Sequence, residues 1–254
     1  MKKKINKIDT NYLDEGNGQN ILILHGWGSS IPVMKNMFNH LNKNNRVVIL
    51  DLPGFGETEE PKESWNLNNY VDFIIEFMKD LKIKKPIIIG HSFGGRIAIK
   101  LASECPEVIL NKLILIDSAG IKNNSKPSLK VKVLKRLKKL LGGIFPKLVE
   151  SFKNKLGSAD YNNASPVMKE VLVNVINEDL TNLLAKINYS SLLIWGENDQ
   201  ETPFSDALVM EEKIKDSGIV KVPNAGHYSF LDNPHLVLSV IDSFVQEGGK
   251  KWTI

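Results

Sequence analysis

Residues 86–95 read Pro-Ile-Ile-Ile-Gly-His-Ser-Phe-Gly-Gly, and this stretch decides the fold. A short apolar run ends in Gly-His-Ser-Phe-Gly at positions 90–94, which places a G-x-S-x-G motif between a predicted buried strand and a predicted helix. At such a turn the serine backbone is strained and the hydroxyl projects above the sheet. The flanking glycines are needed because a Cβ there would strike the strand or the helix. The stretch therefore predicts that Ser92 is a nucleophile.

Short β-branched runs recur along the chain, with helical patterns between them. Most of these runs are continuously apolar rather than alternating, which indicates strands covered on both faces, as in a parallel sheet. Strands that alternate with helices predict an α/β fold with a mostly parallel, doubly wound sheet. The predicted strands are Asn20–Leu24, Arg46–Leu50, Pro86–Ile89, Lys112–Ile116, Ser191–Trp195 and Gly218–Val222. The predicted helices are Leu67–Leu81, Phe93–Ser103, Pro203–Lys215 and Pro234–Gln246, the last with Asp232 or Asn233 as its N-cap.

Composition bounds the class of protein. The chain has 254 residues, 42% of them hydrophobic and 24% charged, which suits one large α/β domain. A net charge of +4 is too mild to indicate a nucleic-acid partner. The single cysteine, Cys105, permits no internal disulfide, and we expect it to be a small residue of the core. The basic start is not followed by an apolar run of signal-peptide or membrane length, so a cytoplasmic location is expected.

One stretch breaks the alternation of strands and helices. Between Gly120 and Asn188 there is only helical pattern, and it falls between two predicted strands. We interpret residues 121–188 as a helical cap inserted into a core formed by residues 1–120 and 189–254. Ligands bind at the carboxyl ends of strands in open α/β sheets, so a cap over that edge would shape a pocket and exclude water.

A serine hydroxyl is a weak nucleophile and needs a base, which in turn needs an orienting acid. His227 follows the last predicted strand in the loop Asn-Ala-Gly-His-Tyr, and the chain order serine, acid, histidine favours it as the base. The other four histidines lie in glycine turns or polar helices: His25, His40, His91 and His235. The acid candidates follow two earlier strands: Glu197, Asp199 and Glu201 after one, and Asp117 after the other.

Acyl transfer also needs hydrogen-bond donors for the oxyanion that develops on the substrate. Two backbone N–H groups supply them in such sites, one just after the nucleophile and one from the loop after an earlier strand. Phe93 supplies the first. Trp27, in the loop His25-Gly-Trp-Gly-Ser-Ser30, is expected to supply the second, because its glycine neighbours allow a close approach.

Together these parts resemble the α/β-hydrolase superfamily, over residues ~12 to 248. The loop that begins at His25 resembles its oxyanion loop, residues 90–95 its nucleophile elbow, and Gly226-His227 its base loop. The position of Asp199 in Gly196-Glu-Asn-Asp matches the acid of that family. Asp51-Leu-Pro-Gly-Phe-Gly56 resembles a glycine-rich turn that is usually structural in these proteins.

The resemblance also ranks activities. Dehalogenases and epoxide hydrolases of this fold have an aspartate nucleophile, so Ser92 argues against those activities. Carbon–carbon bond hydrolases typically have asparagine before the serine and an arginine in the cap, whereas this chain has His91 and only Arg136. We therefore expect cleavage of a small-to-medium carboxylic ester through an acyl-enzyme, with no metal or cofactor. Carbon–carbon, thioester or lactone hydrolysis is the alternative, and a weakly active ligand-binding scaffold is the second alternative.

The identity of the substrate is the property that the sequence determines least. Trp27, Phe93, Phe145 and Phe230 are candidates to line an apolar acyl pocket, although Phe230 could equally belong to the core. Residues 122–139 hold eight basic residues and no acidic one, in an amphipathic helical pattern. The expected role is a cap helix with its lysines in water, and attraction to anionic substrates or an anionic membrane surface is the alternative. The oligomeric state is left open.

Overall fold

The computed structural model describes residues 1–108, 110–122 and 164–246. Its centre is an eight-stranded sheet in the order β1-β2-β4-β3-β5-β6-β7-β8. The first two strands pair antiparallel at one edge, and β3 to β8 are parallel to one another. The strands are β1 Lys2–Ile5, β2 Ile8–Glu15, β3 Asn20–Leu24, β4 Arg46–Leu50, β5 Ile87–His91, β6 Lys112–Ile116, β7 Ser191–Gly196 and β8 Ser217–Val222.

Helices cover both faces of this sheet, so its central strands are buried throughout, as continuous apolar runs require. The described helices are α1 Ile31–Leu41, α2 Leu67–Asp80, α3 Phe93–Glu104, α4 Pro166–Asn177, the 3₁₀ helix Thr181–Lys186, α5 Phe204–Lys213, α6 Ser229–Asp232 and α7 Pro234–Gln246. Buried residues of α1 and α7 form one core with one face of the sheet. Those of α2 to α5 and the 3₁₀ helix form a larger core with the other face.

The structure confirms the α/β class and every predicted strand and helix, with ends shifted by two residues at most. The N-cap of α7 is Asn233, whose Oδ1 accepts a hydrogen bond from Leu236 N at 3.3 Å. The β1–β2 hairpin and helix α1 were not predicted from the sequence. Cys105 is half-buried at the end of α3, and burial raises the pKa of its thiol to about 11.

The segment predicted to be a cap is described at residues 121–122 and 164–188. It contains α4 and the 3₁₀ helix, which lie between β6 and β7 in the chain. Leu184 of the 3₁₀ helix is fully buried in the larger core, and that helix packs on α3. Most of the basic stretch 122–139, with Arg136, and Phe145 lie outside the described residues.

Parallel pairing brings several loops together at one edge of the sheet. Strands β3, β5, β6, β7 and β8 are neighbours in that order, so their carboxyl ends lie side by side. The loops that leave these ends carry Trp27, Ser92, Asp117, Asp199 and His227. The sheet therefore gathers residues separated by 200 positions in the chain at the edge where ligands bind in such folds.

Candidate active site

Ser92 occupies a sharp turn between β5 and α3. Its backbone has φ 48° and ψ −109°, a left-handed conformation that is unfavourable for a residue with a side chain. Its N–H donates to Ile116 O at 3.2 Å, and its carbonyl accepts from Ala119 N at 3.1 Å, so the neighbouring strand holds the turn in place. A Cβ on Gly94 would stand 2.1 Å from Leu24 O, so the expected need for glycine is confirmed there.

The structure brings Ser92, His227 and Asp199 into one chain of hydrogen bonds. The Oγ of Ser92 lies 2.9 Å from Nε2 of His227, and Nδ1 of His227 lies 2.8 Å from Oδ2 of Asp199. A carboxylate only accepts, so Nδ1 carries the ring proton and Nε2 presents its lone pair to the Ser92 hydroxyl. This is the tautomer that a general base requires.

Asp199 is held by its own loop as well as by the histidine. Its Oδ1 accepts hydrogen bonds from Glu201 N at 2.8 Å and Thr202 N at 3.0 Å. The hydroxyl of Thr202 lies 2.7 Å from Oδ2 of Asp199 and 3.3 Å from Nδ1 of His227. The role of Thr202 was not predicted from the sequence. The pattern that could have indicated it is an Asx-type turn, in which the acid accepts backbone N–H groups two and three residues later. These donors fix the carboxylate in its ionised, acceptor-only form.

The electrostatics of the pair agree with this geometry. Burial alone would raise the pKa of Asp199, but the hydrogen bonds from His227 and Thr202 hold it below its ordinary value. Burial would lower the pKa of His227, but the hydrogen bond with Asp199 and the charges of Asp199 and Glu201 hold it above its ordinary value. Each partner therefore stabilises the charged form of the other.

The two other acids of this loop, Glu197 and Glu201, contact different atoms from Asp199. Glu197 binds Lys221 Nζ at 3.1 Å and Asn224 N at 3.3 Å. Glu201 reaches the histidine from the opposite side to Asp199, with its Oε2 3.4 Å from Nε2. Neither of these carboxylates contacts Nδ1 of His227 in the described structure.

Asp117 is buried at the end of β6 and binds two backbone groups. Its Oδ1 accepts from Gly196 N at 2.8 Å and its Oδ2 from Ser229 N at 2.9 Å. The hydroxyl oxygen of Thr202, which donates its proton to Asp199, also lies 3.0 Å from the carbonyl oxygen of Asp117. Burial, opposed by these amide donors, raises the pKa of Asp117 to about 7. The residue thus joins the loop that carries Asp199 to the loop that carries His227.

A buried histidine shapes the loop that contains Trp27. Nε2 of His25 accepts the N–H of Leu52 at 2.9 Å, so Nδ1 carries the proton and donates to Gly26 O at 2.7 Å. Ser29 N donates to the same carbonyl at 3.2 Å. In a trans peptide the N–H points opposite to the C=O, so this arrangement turns the N–H of Trp27 away from His25. A Cβ on Gly26 would lie 3.3 Å from Cβ of Ser92, which shows how near the loop comes to the turn.

His91 is a further residue of the site whose contact the sequence analysis did not foresee. It is fully buried, and its Nε2 donates to the carbonyl oxygen of His227 at 2.8 Å. Its ring centroid lies 5.1 Å from that of His227 and 5.0 Å from that of Phe230. Its place directly before the serine was the available signal, but a contact across 136 positions is visible only in the fold.

The four aromatic candidates have different environments. Trp27 is half-exposed, and its ring packs edge-on against Phe55 at 4.8 Å and Phe93 at 5.5 Å. Phe93 is buried beneath them. Phe230 is 4% exposed within the core on the α1 and α7 side, and this burial supports the core role that the sequence left open. Phe145 is not among the described residues.

A cavity of about 480 Å³ opens beside Trp27. One wall comes from residues 27–28 and the turn at residues 54–55, and the other from residues 164–168, at the start of α4. Glu60 also lines it and accepts a hydrogen bond from the Ser165 hydroxyl at 2.8 Å. The turn at residues 51–56 is structural, as expected, because Asp51 accepts hydrogen bonds from Ile31 N at 2.7 Å and Glu57 N at 2.9 Å.

The described residues contain no group of three or more histidine, cysteine or acidic side chains that could hold a metal ion. Among the helices of residues 1–108, 110–122 and 164–246, none combines the length and apolar character needed to cross a membrane.

Comparison with known proteins gives a consistent set of relatives. A family model described as "Alpha/beta hydrolase family" matches residues 21–240. The AB hydrolase superfamily protein YisY of Bacillus subtilis (strain 168) is 26% identical over 253 residues, spanning 91% of this chain and 93% of that protein. A pimeloyl-[acyl-carrier protein] methyl ester esterase of Pectobacterium carotovorum is 26% identical over 252 residues, spanning 91% and 96%. The solved esterase of Exiguobacterium antarcticum superposes with a TM-score of 0.78 at 24% identity, covering 97% and 99%.

Proposed function

The chain belongs to the alpha/beta hydrolase family, and on that premise we propose that it is a serine hydrolase that cleaves a small-to-medium carboxylic ester. The observation that carries this proposal is the hydrogen-bond chain from Ser92 Oγ through His227 to Asp199, with links of 2.9 and 2.8 Å. A nucleophile, a base in the required tautomer and an orienting acid are the parts that acyl transfer by serine needs.

Acylation follows from these contacts. Ser92 Oγ attacks the ester carbonyl carbon while Nε2 of His227 takes the hydroxyl proton. Asp199 stabilises the imidazolium that forms. The carbonyl oxygen becomes an oxyanion, and the backbone N–H groups of Trp27 and Phe93 donate to it. The tetrahedral intermediate then collapses, the bond to the alcohol oxygen breaks, and His227 returns its proton to that oxygen.

Deacylation repeats the same steps with water. His227 takes a proton from a water molecule, whose oxygen attacks the acyl carbon of the Ser92 ester. Collapse of the second intermediate breaks the bond to Oγ, and His227 gives the proton back to Ser92. The products are a carboxylic acid and an alcohol, and the enzyme returns to its starting state.

We propose further that residues 121–188 act as a cap over this site, and that Trp27, Phe93 and Phe145 contribute to the acyl pocket. The support comes from the cavity beside Trp27, to which Met168 and Ser165 contribute a wall. Met168 also packs on the turn at Gly54, where a Cβ would lie 2.5 Å from its Cε. The described end of the insertion therefore reaches the side of the site on which Trp27 lies.

The test is hydrolysis of p-nitrophenyl esters of increasing acyl length, combined with labelling by a fluorophosphonate probe. Ser92→Ala should abolish labelling and lower kcat by about 10⁴-fold or more, whereas Ser103→Ala, near the far end of α3, should leave both intact. Turnover that survives Ser92→Ala contradicts the proposal. Labelling of Ser92 without turnover of any ester would point to carbon–carbon, thioester or lactone substrates. Slow single acylation with retained product would favour a binding scaffold.

A further inference from the structure

Glu201 is an acidic residue of the site that the mechanism above does not use. Its Oε2 lies 3.4 Å from Nε2 of His227, the same nitrogen that lies 2.9 Å from Ser92 Oγ. The side chain of Glu201 is 67% exposed, whereas that of His227 is 8% exposed. The carboxylate therefore stands at the open side of the site, against the atom that exchanges the proton.

This position borders the path of the leaving group. During acylation Nε2 returns its proton to the alcohol oxygen, so that oxygen must come within hydrogen-bond distance of Nε2. Any group already in contact with Nε2 is then a neighbour of the first atoms of the alcohol. Asp199 lies on the far side of the ring, at Nδ1, and is 0% exposed, so it does not face the alcohol.

Among the described residues, no lysine or arginine forms an ion pair with Glu201. Lys221 is held by Glu197, at 3.1 Å. The cavity beside Trp27 is lined, among described residues, by one charged side chain, which is also acidic, Glu60. An alcohol that comes within hydrogen-bond distance of Nε2 thus meets the negative charge of Glu201.

We propose that Glu201 is a specificity-determining residue that selects the charge of the leaving group, favouring esters of cationic or neutral alcohols over esters of anionic ones. This inference rests on the proposed function, because it assumes that His227 protonates a leaving group. Cationic alcohols of the amino-alcohol class gain an attractive contact with the carboxylate. Alcohols that carry a sulfonate, phosphate or carboxylate near the ester oxygen are repelled.

The test compares three esters that share one acyl group and differ in alcohol charge at nearly constant shape. The alcohols are 2-(trimethylammonio)ethanol, its uncharged isostere 3,3-dimethylbutanol, and anionic 2-sulfoethanol. The variant is Glu201→Gln, which keeps the size of the side chain and removes its charge. The matched control is Glu197→Gln, which also removes one negative charge from this loop. The Glu197 side chain binds Lys221 and not the histidine.

The ratio of kcat/KM for the cationic over the neutral ester should fall about two- to fivefold in Glu201→Gln at low ionic strength, the size expected for an exposed charge pair. The ratio for the anionic over the neutral ester should rise by a similar factor. Both changes should shrink at 1 M salt, and Glu197→Gln should leave both ratios within error of the parent. A uniform change for all three esters would overturn the proposal, since it would mean that Glu201 acts only on the base.

A second measurement separates this proposal from the ester assignment. Rates of Ser92 phosphonylation are compared for two organophosphonates, one with a 2-(trimethylammonio)ethanethiol leaving group and one with the isosteric 3,3-dimethylbutanethiol. This reaction needs the nucleophile and base but no ester turnover. A preference for the cationic probe that falls in Glu201→Gln supports the charge selection even where no ester is cleaved. Equal loss for both probes overturns it while leaving the serine hydrolase intact, and no labelling by either overturns both proposals.

Discussion

Nε2 of His91 lies 2.8 Å from the main-chain oxygen of His227 and donates a hydrogen bond to it. The contact joins the residue before Ser92 to His227, the proposed base. Burial, reinforced by the charge of His227, lowers the pKa of His91 to about 3, so its ring stays neutral near neutral pH. The hydrogen bond therefore persists through the pH range in which His227 itself titrates, and it holds the base loop at a fixed distance from the serine.

Replacing His91 by phenylalanine should reduce catalysis without preventing folding. The aromatic ring keeps its packing against Phe230, but the donor to His227 O is lost and the base loop loses one restraint. We expect kcat to fall about tenfold, corresponding to one hydrogen bond, with KM little changed. His91→Gln, whose amide nitrogen can occupy the position of Nε2, should recover most of the loss. If KM rises while kcat is constant, His91 acts on substrate binding instead.

The pH dependence of kcat/KM should show an acidic limb above the ordinary histidine value of about 6.5. His227 works as a base only when it is neutral, and its contacts with Asp199 hold its pKa above the ordinary value. Activity should therefore be lost at a higher pH than for an unperturbed histidine as the solution is acidified. Asp199→Asn should move the limb to lower pH and lower the plateau about 10⁴-fold. A limb that moves to higher pH in this variant would contradict the assignment of Asp199.

Asp117→Asn should destabilise the fold and disturb the site together. The carboxylate accepts one N–H on each oxygen, from Gly196 and Ser229, whereas an amide offers only one acceptor oxygen. One buried N–H then loses its partner and faces an NH₂ group. We expect about 1–3 kcal/mol less free energy of unfolding, measured by urea denaturation. Asp80→Asn, at an exposed ion pair with Lys3, should cost under about 1 kcal/mol. An equal loss in both variants would contradict a stabilising role for the two hydrogen bonds that Asp117 accepts.

Replacement by alanine should destabilise the protein at one glycine of the site and leave its stability unchanged at another. At Gly94 the added Cβ would stand 2.1 Å from the backbone oxygen of Leu24, and neither α3 nor β3 can yield without moving the turn at Ser92. Gly94→Ala should cost about 3 kcal/mol and most of the activity. At Gly226 the nearest atom would be a side-chain oxygen of Asp232 at 3.7 Å, so Gly226→Ala should fold normally. Thermal unfolding of the two variants, measured side by side, checks this contrast.

The parallel strands of the sheet could be predicted from the sequence, because each central strand is a continuous apolar run bounded by turn residues. It did not reveal β1 and β2, where the burial of Ile8, Thr10 and Tyr12 alternates with exposed or half-exposed polar residues over a short span. Lysines fill most of the edge strand β1, and a polar edge is hard to distinguish from a loop. The missed helix α1 did carry a signal, since Ile31, Met34, Phe38 and Leu41 follow helical spacing and are buried.

The candidate site divides along a similar line. Ser92 and His227 follow from loop position and chain order, whereas Asp199 follows from the resemblance to the α/β-hydrolase superfamily. The structure brings these three side chains together. The contacts of Asp117 and His91 depend on which strands become neighbours, so no local pattern could indicate them. For the same reason, the sequence could not separate Asp199 from Glu201 by geometry. Both follow the same strand, and only the fold shows that they meet opposite nitrogens of the imidazole.

The insertion between β6 and β7 has a consequence for how such a protein can diversify. These two strands are paired neighbours, with Leu113 opposite Ser191, and Asp117 N donates to Ile194 O at 2.9 Å just where the connection departs. The ends of the insertion are thus anchored in the sheet, and its described part also contributes buried residues such as Leu184 to the larger core. The hydrogen bonds that support Ser92, Asp199 and His227 come from residues outside this insertion. Under the proposed function, the insertion could therefore change in sequence, and substrate preference with it, while these three side chains keep their contacts.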